Sequence, residues 1–291
     1  MPPETFDIGG DLTVNRLGFG AMRLCGPDIV GPPDDESTAR QVLRGAVDLG
    51  VDFIDTADSY GPGVSERLIG ETLALDGSVD DGRERVPADD VVVATKAGLL
   101  RNADGDWLRH GDPDYVRNQV LASRDRLRVD TIDLYQYHAP DEDVPFEDAV
   151  TTFGELKDDG FVEHVGLSNV SVDQLATARD HVNVATVQNQ YNVTDRDHEE
   201  VLEACEEYDI GFIPYFPVGA GNLDAMSEVV DSIAEAHDAT RYQIALAWLL
   251  DRSDVTLPIP GTSDPEHLAE NVAAADIDLA PDEVTELADA A

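Results

Sequence analysis

Lysine is almost absent from this chain of 291 residues, which has only Lys96 and Lys157 beside 17 arginines. These basic residues face 61 aspartates and glutamates, so the formal net charge is −42. Phosphate groups would repel a chain with this balance, which argues against nucleic-acid and anionic-membrane partners. The acidic residues are spread along the whole chain and are not gathered in one tail.

Cysteines, long apolar runs and a leader sequence are also scarce or absent. Cys25 and Cys205 lie far apart and lack CxxC spacing, so neither a zinc site nor a disulfide framework is indicated, and we expect no metal. No apolar run reaches membrane-spanning length, and the first twenty residues lack a basic segment followed by an apolar one. We therefore expect a cytoplasmic protein.

Abundant acid, scarce lysine and an ordinary apolar content of 42% resemble proteins of salt-loving organisms with a molar-salt cytoplasm. At about 1 M salt the Debye length is only about 3 Å, so repulsion among the carboxylates is mostly screened. The alternative is an ordinary acidic protein from a low-salt cell.

Eight short apolar segments alternate with stretches of helical period. The segments are candidate buried parallel strands at residues 17–20, 53–56, 91–96, 132–138, 164–168, 185–188, 212–215 and 255–260. Helical patterns follow them at 38–49, 65–75, 114–127, 145–158, 171–181, 196–208, 241–250 and 265–275. Residues 5–20 alternate around a Gly-Gly turn, which predicts a hairpin leading into the first strand.

This count predicts an α/β fold, a (β/α)8 TIM barrel with an N-terminal β-hairpin and a C-terminal helix. No linker rich in Pro, Gly or Ser divides the pattern, so we expect residues 1–291 to form one domain. A doubly wound sheet with a small second domain is the alternative. It is disfavoured because no G-x-G-x-x-G fingerprint follows an early strand, and GFGAMRL (18–24) does not fit one.

Catalytic groups of such barrels lie at the carboxyl ends of strands and in the loops that follow. Asp55, Lys96 and His138 end three successive predicted strands, and Tyr60 lies in the loop after the first of these. Lys96 stands out, because a lysine directly after the apolar run VVVAT is costly unless it is paired. Each of the others, taken alone, has a structural explanation as a helix cap, a packed ring or a satisfied core histidine.

Six motifs in order resemble those of the aldo-keto reductase family: GVDFIDTADSYG (50–61), VVVATKAG (91–98), DLYQYHAP (133–140), GLSN (166–169), VQNQYN (187–192) and LPIPGTSDPEHLAENV (257–272). The resemblance covers about residues 12–275. It implies reduction of an aldehyde or ketone to an alcohol by hydride transfer from NADPH or NADH. It also implies a catalytic tetrad of Asp55, Tyr60, Lys96 and His138, with Tyr60 as the proton donor.

The chemistry explains why such a tetrad is needed. A phenol with a pKa of about 10 gives up its proton more readily beside a cation, and Lys96 would supply that charge. Asp55 would hold Lys96 in place and balance it. His138 would donate to the substrate oxygen and stabilise its developing negative charge.

The resemblance also assigns residues to the cofactor. The nicotinamide carboxamide would be bound by Ser168, Asn169 and Gln188, while Tyr215 would stack on the ring. The loop at 260–263 would hold the phosphates at a helix N-terminus. The further cofactor residues are Pro217, Gly219, Gly261, Thr262, Ser263, His267, Glu270 and Asn271, with Glu270 and Asn271 at the adenine.

The choice between the two cofactors stays open. Residues 261–267 contain no Arg or Lys to pair with a 2′-phosphate. Asp264 and Glu266 would repel that phosphate unless His267, Thr262 and Ser263 supply enough donors, and an acid near the ribose favours NADH. The habit of the family slightly favours NADPH.

The loop at 97–113 contains Trp107 and resembles that of a bacterial subgroup, some of whose members act on pyridoxal-like aldehydes. Met22 and Trp107 are candidate substrate residues, and loop packing is an equally good explanation for Trp107. Only one helix is expected after Leu279, so the long C-terminal substrate loop of the family is expected to be absent. We expect a monomer that acts on a small-molecule carbonyl compound.

Two other functions are compatible with a barrel. Some members of the family are regulatory subunits that bind a nicotinamide cofactor and a membrane partner, but the tetrad here is intact. A lyase or isomerase that uses Lys96 as a Schiff-base amine would not explain the GLSN, VQNQ and IPGTS motifs together.

The acidic composition generates a first prediction. Dialysis from molar salt into low salt should unfold the protein and abolish its activity, because unscreened carboxylates repel one another. Circular dichroism and an activity assay before and after dialysis check this. Retention of fold and activity in low salt would support the ordinary acidic protein instead.

Overall fold

Eleven short strands build the sheets of the computed structural model, which describes residues 4–73, 91–219, 223 and 227–290. They are β1 (Thr5–Ile8), β2 (Leu12–Asn15), β3 (Phe19–Gly20), β4 (Phe53–Asp55), β5 (Val92–Ala97), β6 (Leu99–Arg101), β7 (Trp107–Arg109), β8 (Ile132–Tyr137), β9 (Val162–Ser168), β10 (Val184–Gln190) and β11 (Gly211–Tyr215). Seven of them form one parallel sheet in the order β11-β10-β9-β8-β5-β4-β3, which is the curled wall of the predicted barrel.

Residues 255–260 fill the gap between β11 and β3. The Phe212 N–H donates to the Val255 carbonyl at 2.8 Å, and the Phe212 carbonyl accepts from the Leu257 N–H at 2.8 Å. These two bonds form a parallel bridge between Phe212 and Thr256. The segment therefore lies against β11 as an eighth strand would.

The segment was predicted as a strand but is not a regular one, and its opposite edge explains why. The N–H groups of Gly18 and Gly20 donate to the carbonyls of Pro258 and Pro260, at 2.9 and 3.2 Å. Proline has no N–H, so the segment can accept from the β3 side but cannot return a bond at either position. The barrel is closed all the same, and the (β/α)8 fold is confirmed.

Ten helices surround the strands among the described residues: α1 (Glu36–Asp48), α2 (Val64–Leu73), α3 (Pro113–Leu127), α4 (Phe146–Asp158), α5 (Val172–Arg179), α6 (Glu199–Tyr208), α7 (Ser227–Ala236), α8 (Arg241–Arg252), α9 (Pro265–Ala273) and α10 (Pro281–Asp289). All predicted helices are present, and the predicted positions 74–75 lie outside the described residues. Helix α7 and the β6–β7 hairpin are additions that the sequence pattern did not predict.

Side-chain caps fix several helix starts. Ser171 begins α5 and Thr240 begins α8, and in each case a glutamine three residues later completes a capping box. Asp35 and Asp112 cap α1 and α3 by accepting from backbone N–H groups of the first turn. Within the part of the chain described, no helix is long and apolar enough to span a bilayer.

The predicted N-terminal hairpin is confirmed as the β1–β2 pair, in which Ile8 lies opposite Leu12. Gly9 and Gly10 turn the chain with φ of 67° and 90°, a conformation that glycine adopts without strain. A Cβ at Gly9 would collide with the His164 ring at the start of β9. The hairpin therefore covers the end of the barrel where the strands begin.

A buried arginine ties the start of the barrel to its end. The Arg16 guanidinium donates to the carbonyls of Leu250 at 2.8 Å and Thr256 at 3.2 Å, to the Thr256 hydroxyl at 3.0 Å, and to the Ser253 carbonyl. These partners lie about 240 positions away along the chain. Arg16 thus links the segment before β3 to the end of α8 and to the barrel-closing segment.

We expect Arg16→Met to lower the free energy of unfolding by about 2–4 kcal/mol, because it removes the buried donor that the carbonyls of Leu250, Ser253 and Thr256 share. Arg117→Met is a matched control, since Arg117 pairs with Glu155 on the surface and should contribute less than about 1 kcal/mol. Chemical denaturation of both variants gives the comparison. Equal stability of the two variants would show that Arg16 does not close the barrel.

Candidate active site

Three strand ends and one loop bring the four tetrad candidates together. The Lys96 Nζ on β5 lies 2.6 Å from the Asp55 Oδ1 at the end of β4. The same nitrogen donates to the Tyr60 hydroxyl at 3.3 Å, and the ring centroids of Tyr60 and His138 are 5.8 Å apart. The parallel sheet places these groups at one end of the barrel because all its strands end there.

The Lys96 ammonium group is fully buried and has a partner for each of its protons. Besides Asp55 and Tyr60, it donates to the Thr56 carbonyl at 2.8 Å. Burial acts to lower the pKa of Lys96, but the Asp55 carboxylate and then the phenol outweigh it, so that the pKa lies above its ordinary value. Lys96 therefore stays charged at neutral pH.

The Asp55 carboxylate is held by two amide side chains from other strands of the barrel. Its Oδ2 accepts from the Nε2 of Gln136 on β8 at 3.1 Å and of Gln188 on β10 at 2.8 Å, while Oδ1 is bonded to Lys96. Neither β8 nor β10 is next to β4 in the sheet, so both amides reach Asp55 across the barrel interior. Both oxygens of this buried ion therefore have partners. This arrangement offsets the cost of removing a carboxylate from water.

The pKa of the Tyr60 phenol is higher than expected. Burial raises the pKa of the Tyr60 phenol, and the neighbouring Lys96 ammonium lowers it by a smaller amount, so the pKa lies above its ordinary value. The expected facilitation by Lys96 is therefore present but does not dominate. The phenol is protonated at neutral pH, as a proton donor must be.

His138 is neutral, because burial first and the Lys96 charge second bring its pKa well below the ordinary value for histidine. Its Nδ1 lies 3.4 Å from the Ser59 hydroxyl. In the tautomer in which the Ser59 hydroxyl donates to Nδ1, the ring proton is on Nε2, which bonds to no residue that the structure describes. A neutral imidazole with a free N–H can donate to a carbonyl oxygen.

A cavity of about 420 Å³ opens above the tetrad. Twelve of the predicted site residues line it: Met22, Asp55, Tyr60, Trp107, His138, Ser168, Asn169, Gln188, Tyr215, Pro217, Gly261 and Asn271. Lys96 lies beneath the lining. Five residues predicted for the cofactor are not part of the lining: Gly219, Thr262, Ser263, His267 and Glu270.

Asn169 links several of the predicted cofactor residues to one another. Its amide donates to the His138 carbonyl at 2.9 Å and to the Ser168 hydroxyl at 3.0 Å, and its Oδ1 accepts from the Tyr215 hydroxyl at 2.9 Å. The backbone of Asn169 is left-handed, with a φ of 59°, which asparagine tolerates better than most residues. Asn169 thus fixes the tyrosine ring on one wall of the cavity.

The start of α9, where the cofactor phosphates are predicted to bind, has a carboxylate cap. The Asp264 carboxylate caps the helix by accepting from the Glu266 N–H at 2.8 Å, and the Asp264 N–H donates to the Thr262 hydroxyl at 3.0 Å. A carboxylate already occupies this helix end, where a phosphate would otherwise be favoured. The Thr262 hydroxyl is therefore already bonded to the Asp264 backbone.

Arg23 is a cavity residue that the sequence reasoning missed. It follows β3, and its Cγ lies 3.8 Å from the position that a Cβ on Gly261 would take. Its guanidinium bonds to none of the residues that the structure describes. The signal was present in GFGAMRL, where an arginine follows the first strand end, but only the fold places it beside the loop at 260–263.

The remaining lining residues are mostly apolar: Gly20, Leu99, Phe216, Val218, Ile259 and Pro260, the last of which begins the predicted loop at 260–263. Trp107 lies among them, edge-on to Tyr60 and His138, with ring centroids 6.3 and 6.4 Å away. Trp107 therefore contacts the tetrad and is not packed only against its own loop. Among the described residues, no group of His, Cys, Asp and Glu could hold a metal ion.

A model of the aldo/keto reductase family matches residues 16–291. The chain belongs to this family. The aldo/keto reductases are oxidoreductases that use NADPH or NADH, and the barrel and the arrangement at its carboxyl end agree with this membership.

Two proteins are similar to this aldo/keto reductase over almost its whole length. An uncharacterised oxidoreductase of Schizosaccharomyces pombe is 42% identical over 270 residues, which is 93% of this chain and 84% of that protein. The pyridoxine 4-dehydrogenase of Escherichia coli is 38% identical over 295 residues, 99% of this chain and 98% of that protein.

A solved aldo/keto reductase from Klebsiella pneumoniae, in complex with NADP and acetate, has the same fold. It is 25% identical with a TM-score of 0.79, over 98% of this chain and 94% of that one.

Proposed function

We propose that this aldo/keto reductase reduces an aldehyde or ketone to an alcohol with NADPH or NADH, and that Tyr60 donates the proton. The observation that carries the proposal is the fully buried Lys96, bonded to both Asp55 and the Tyr60 hydroxyl beside the cavity. A charge in this position has no packing function, since replacing a buried ion pair with apolar residues is often neutral or stabilising.

The cavity fits a nicotinamide cofactor. Gln188 uses its amide nitrogen on Asp55, and its Oε1 accepts from no residue that the structure describes. With the Ser168 hydroxyl beside it, this oxygen supplies the polar groups that a carboxamide needs. Tyr215 presents an aromatic ring, and Arg23 supplies a positive charge towards the phosphates.

The residues of the chain divide the work of reduction between them. A nicotinamide bound in the cavity would supply the hydride for the carbonyl carbon. His138 donates to the carbonyl oxygen from its neutral ring and stabilises the charge that develops there. Tyr60 delivers its proton to the same oxygen, and the Lys96 ammonium stabilises the phenolate that is left. Asp55 keeps Lys96 charged and aimed at the phenol.

The apolar lining favours a neutral, planar substrate. Met22, Leu99, Trp107 and Phe216 supply apolar surface near Tyr60, and in this cavity Asp55 is already paired with Lys96. The E. coli relative is a pyridoxine 4-dehydrogenase. An aromatic aldehyde of the pyridoxal type therefore fits both the lining and this relative.

The state of Lys96 weighs against the Schiff-base alternative. A nucleophilic amine must be uncharged and must have a free approach to the substrate. Lys96 is charged, fully buried and bonded to three acceptors. Borohydride treatment in the presence of an aldehyde should therefore leave Lys96 unmodified.

Tyr60→Phe should lower kcat for aldehyde reduction by at least about 100-fold, because it removes the proton donor. The Kd for NADPH, measured by fluorescence titration, should stay within about twofold, because the hydroxyl is not needed to hold the cofactor. Tyr242→Phe, at an exposed position on α8, is the matched control and should behave as wild type. Near-normal turnover in Tyr60→Phe would rule out the assignment.

Two further variants separate the phosphate groups of the cofactor. Arg23→Met should weaken NADPH and NADH binding by a similar factor of roughly ten, because the pyrophosphate is common to both. Asp264→Ser keeps a helix cap but removes its charge, so it should strengthen NADPH binding alone by roughly threefold. Fluorescence titrations at one fixed salt concentration give the four Kd values.

The assignment of Arg23 fails if Arg23→Met weakens NADPH binding and leaves NADH binding unchanged. That result would place the arginine at the 2′-phosphate. An unchanged NADPH Kd in Asp264→Ser would show that the carboxylate lies too far from the ribose to influence the choice.

A further inference from the structure

The β6–β7 hairpin carries Trp107 into the cavity wall but has little buried surface to hold it there. Its strands pair Arg101 directly opposite Trp107. The β6 residues are half-buried and the β7 residues exposed, and 43% of the Trp107 side chain is accessible. A two-stranded hairpin of this kind is marginally stable unless other contacts fix it.

Arg101 supplies such contacts. Its guanidinium lies 3.9 Å from the centre of the Trp107 ring. It also donates to the Gly105 carbonyl in the hairpin turn, at 2.7 Å from Nη2 and 3.2 Å from Nε. Its planar group therefore holds the ring and the turn of the hairpin at once.

The same guanidinium reaches a second loop. Nη1 donates to the Ile29 carbonyl at 3.1 Å, and Nη2 donates to the Asp28 carbonyl at 2.8 Å. Both residues have left-handed backbones, with φ of 61° and 55°. This conformation is strained for a β-branched residue such as isoleucine, so it persists only where surrounding bonds enforce it.

The turn at residues 28–29 is also bonded to the loop that carries Tyr60. The Gly61 N–H, directly after Tyr60, donates to the same Ile29 carbonyl at 3.1 Å. Met22, Cys25 and Ile29 also pack against Tyr60 and Ala57. One oxygen atom therefore joins Arg101 to the backbone next to Tyr60.

We propose that Arg101 is a positioning residue that fixes Trp107 against Tyr60 and so sets the selectivity of the pocket for planar aromatic carbonyls. Arg101 does not line the cavity above the tetrad and acts through Trp107 and the turn at residues 28–29. A large planar substrate needs the Trp107 wall, whereas a small aliphatic aldehyde needs only Tyr60 and His138. This inference rests on the carbonyl reduction proposed above.

Arg101→Met removes the donors and the cation while it keeps the length of the side chain. The ratio of kcat/KM for benzaldehyde to kcat/KM for propanal should fall about tenfold, mainly through the KM for benzaldehyde, because an ordered aromatic wall is lost. The Kd for NADPH should change less than about twofold. Arg101→Lys should recover only part of the ratio, because an ammonium cannot bridge both loops.

Arg109→Met is the matched control, because Arg109 lies on the same hairpin and, among the described residues, forms an ion pair only with the exposed Glu142, at 3.8 Å. It should leave the selectivity ratio unchanged. In a Trp107→Leu background, Arg101→Met should cause no further loss of the ratio, because the group through which it acts is gone. Additive losses in the double variant would overturn the proposal, as would equal losses for both aldehydes in Arg101→Met.

Tryptophan fluorescence tests, without turnover, whether Arg101 holds Trp107 in place. Trp248 is fully buried, so acrylamide quenching reports mainly on Trp107. The quenching constant should rise about twofold in Arg101→Met and stay unchanged in Arg109→Met. An unchanged quenching constant in Arg101→Met would overturn the proposal that Arg101 fixes Trp107. If the wild-type protein reduces neither aldehyde, the proposed function fails, while the quenching result still decides whether Arg101 holds Trp107.

Discussion

The buried ion pair between Lys96 and Asp55 is the interaction on which the rest of the site depends. Two ions taken out of water cost several kcal/mol each, and the cost is offset only when every donor and acceptor has a partner. Lys96 finds three acceptors, and the second Asp55 oxygen finds the amides of Gln136 and Gln188. Four strands must therefore keep their register for the pair to exist, which gives the tetrad its rigid base.

Much of this arrangement was predictable from the sequence, because strand and helix periods alternate clearly and because a chain with two lysines places one at a buried strand end. Two features were missed although the sequence carries their signal: the prolines at 258 and 260 prevent a regular eighth strand, and α7 has apolar residues at helical spacing at Val230, Ile233 and Ala234. What could not be predicted depends on packing. The net pKa shift of Tyr60 depends on burial, which no local pattern encodes.

Three basic side chains near the carboxyl end of the barrel have different roles. Lys96 donates to the Tyr60 hydroxyl beneath the cavity, Arg101 bonds to the loops around Trp107, and Arg23 stands beside Gly261 with no partner among the described residues. If the protein works in molar salt, solvent-exposed charges more than about 3 Å apart are screened from one another, whereas buried charges are screened much less. Buried groups in direct contact, such as Lys96 and Asp55, still interact under those conditions. Most carboxylates on the surface do not repel one another there.

The pH dependence of a single turnover of aldehyde reduction, with cofactor bound, tests most directly whether Tyr60 is the proton donor. Burial raises the pKa of Tyr60 and lowers that of His138, so neither group titrates in the neutral range. The proposed mechanism predicts a rate that is constant from about pH 6 to about pH 9 and falls only above that range. A rate that falls through an apparent pKa of about 6.5 would contradict it, because a protonated histidine would then be the donor.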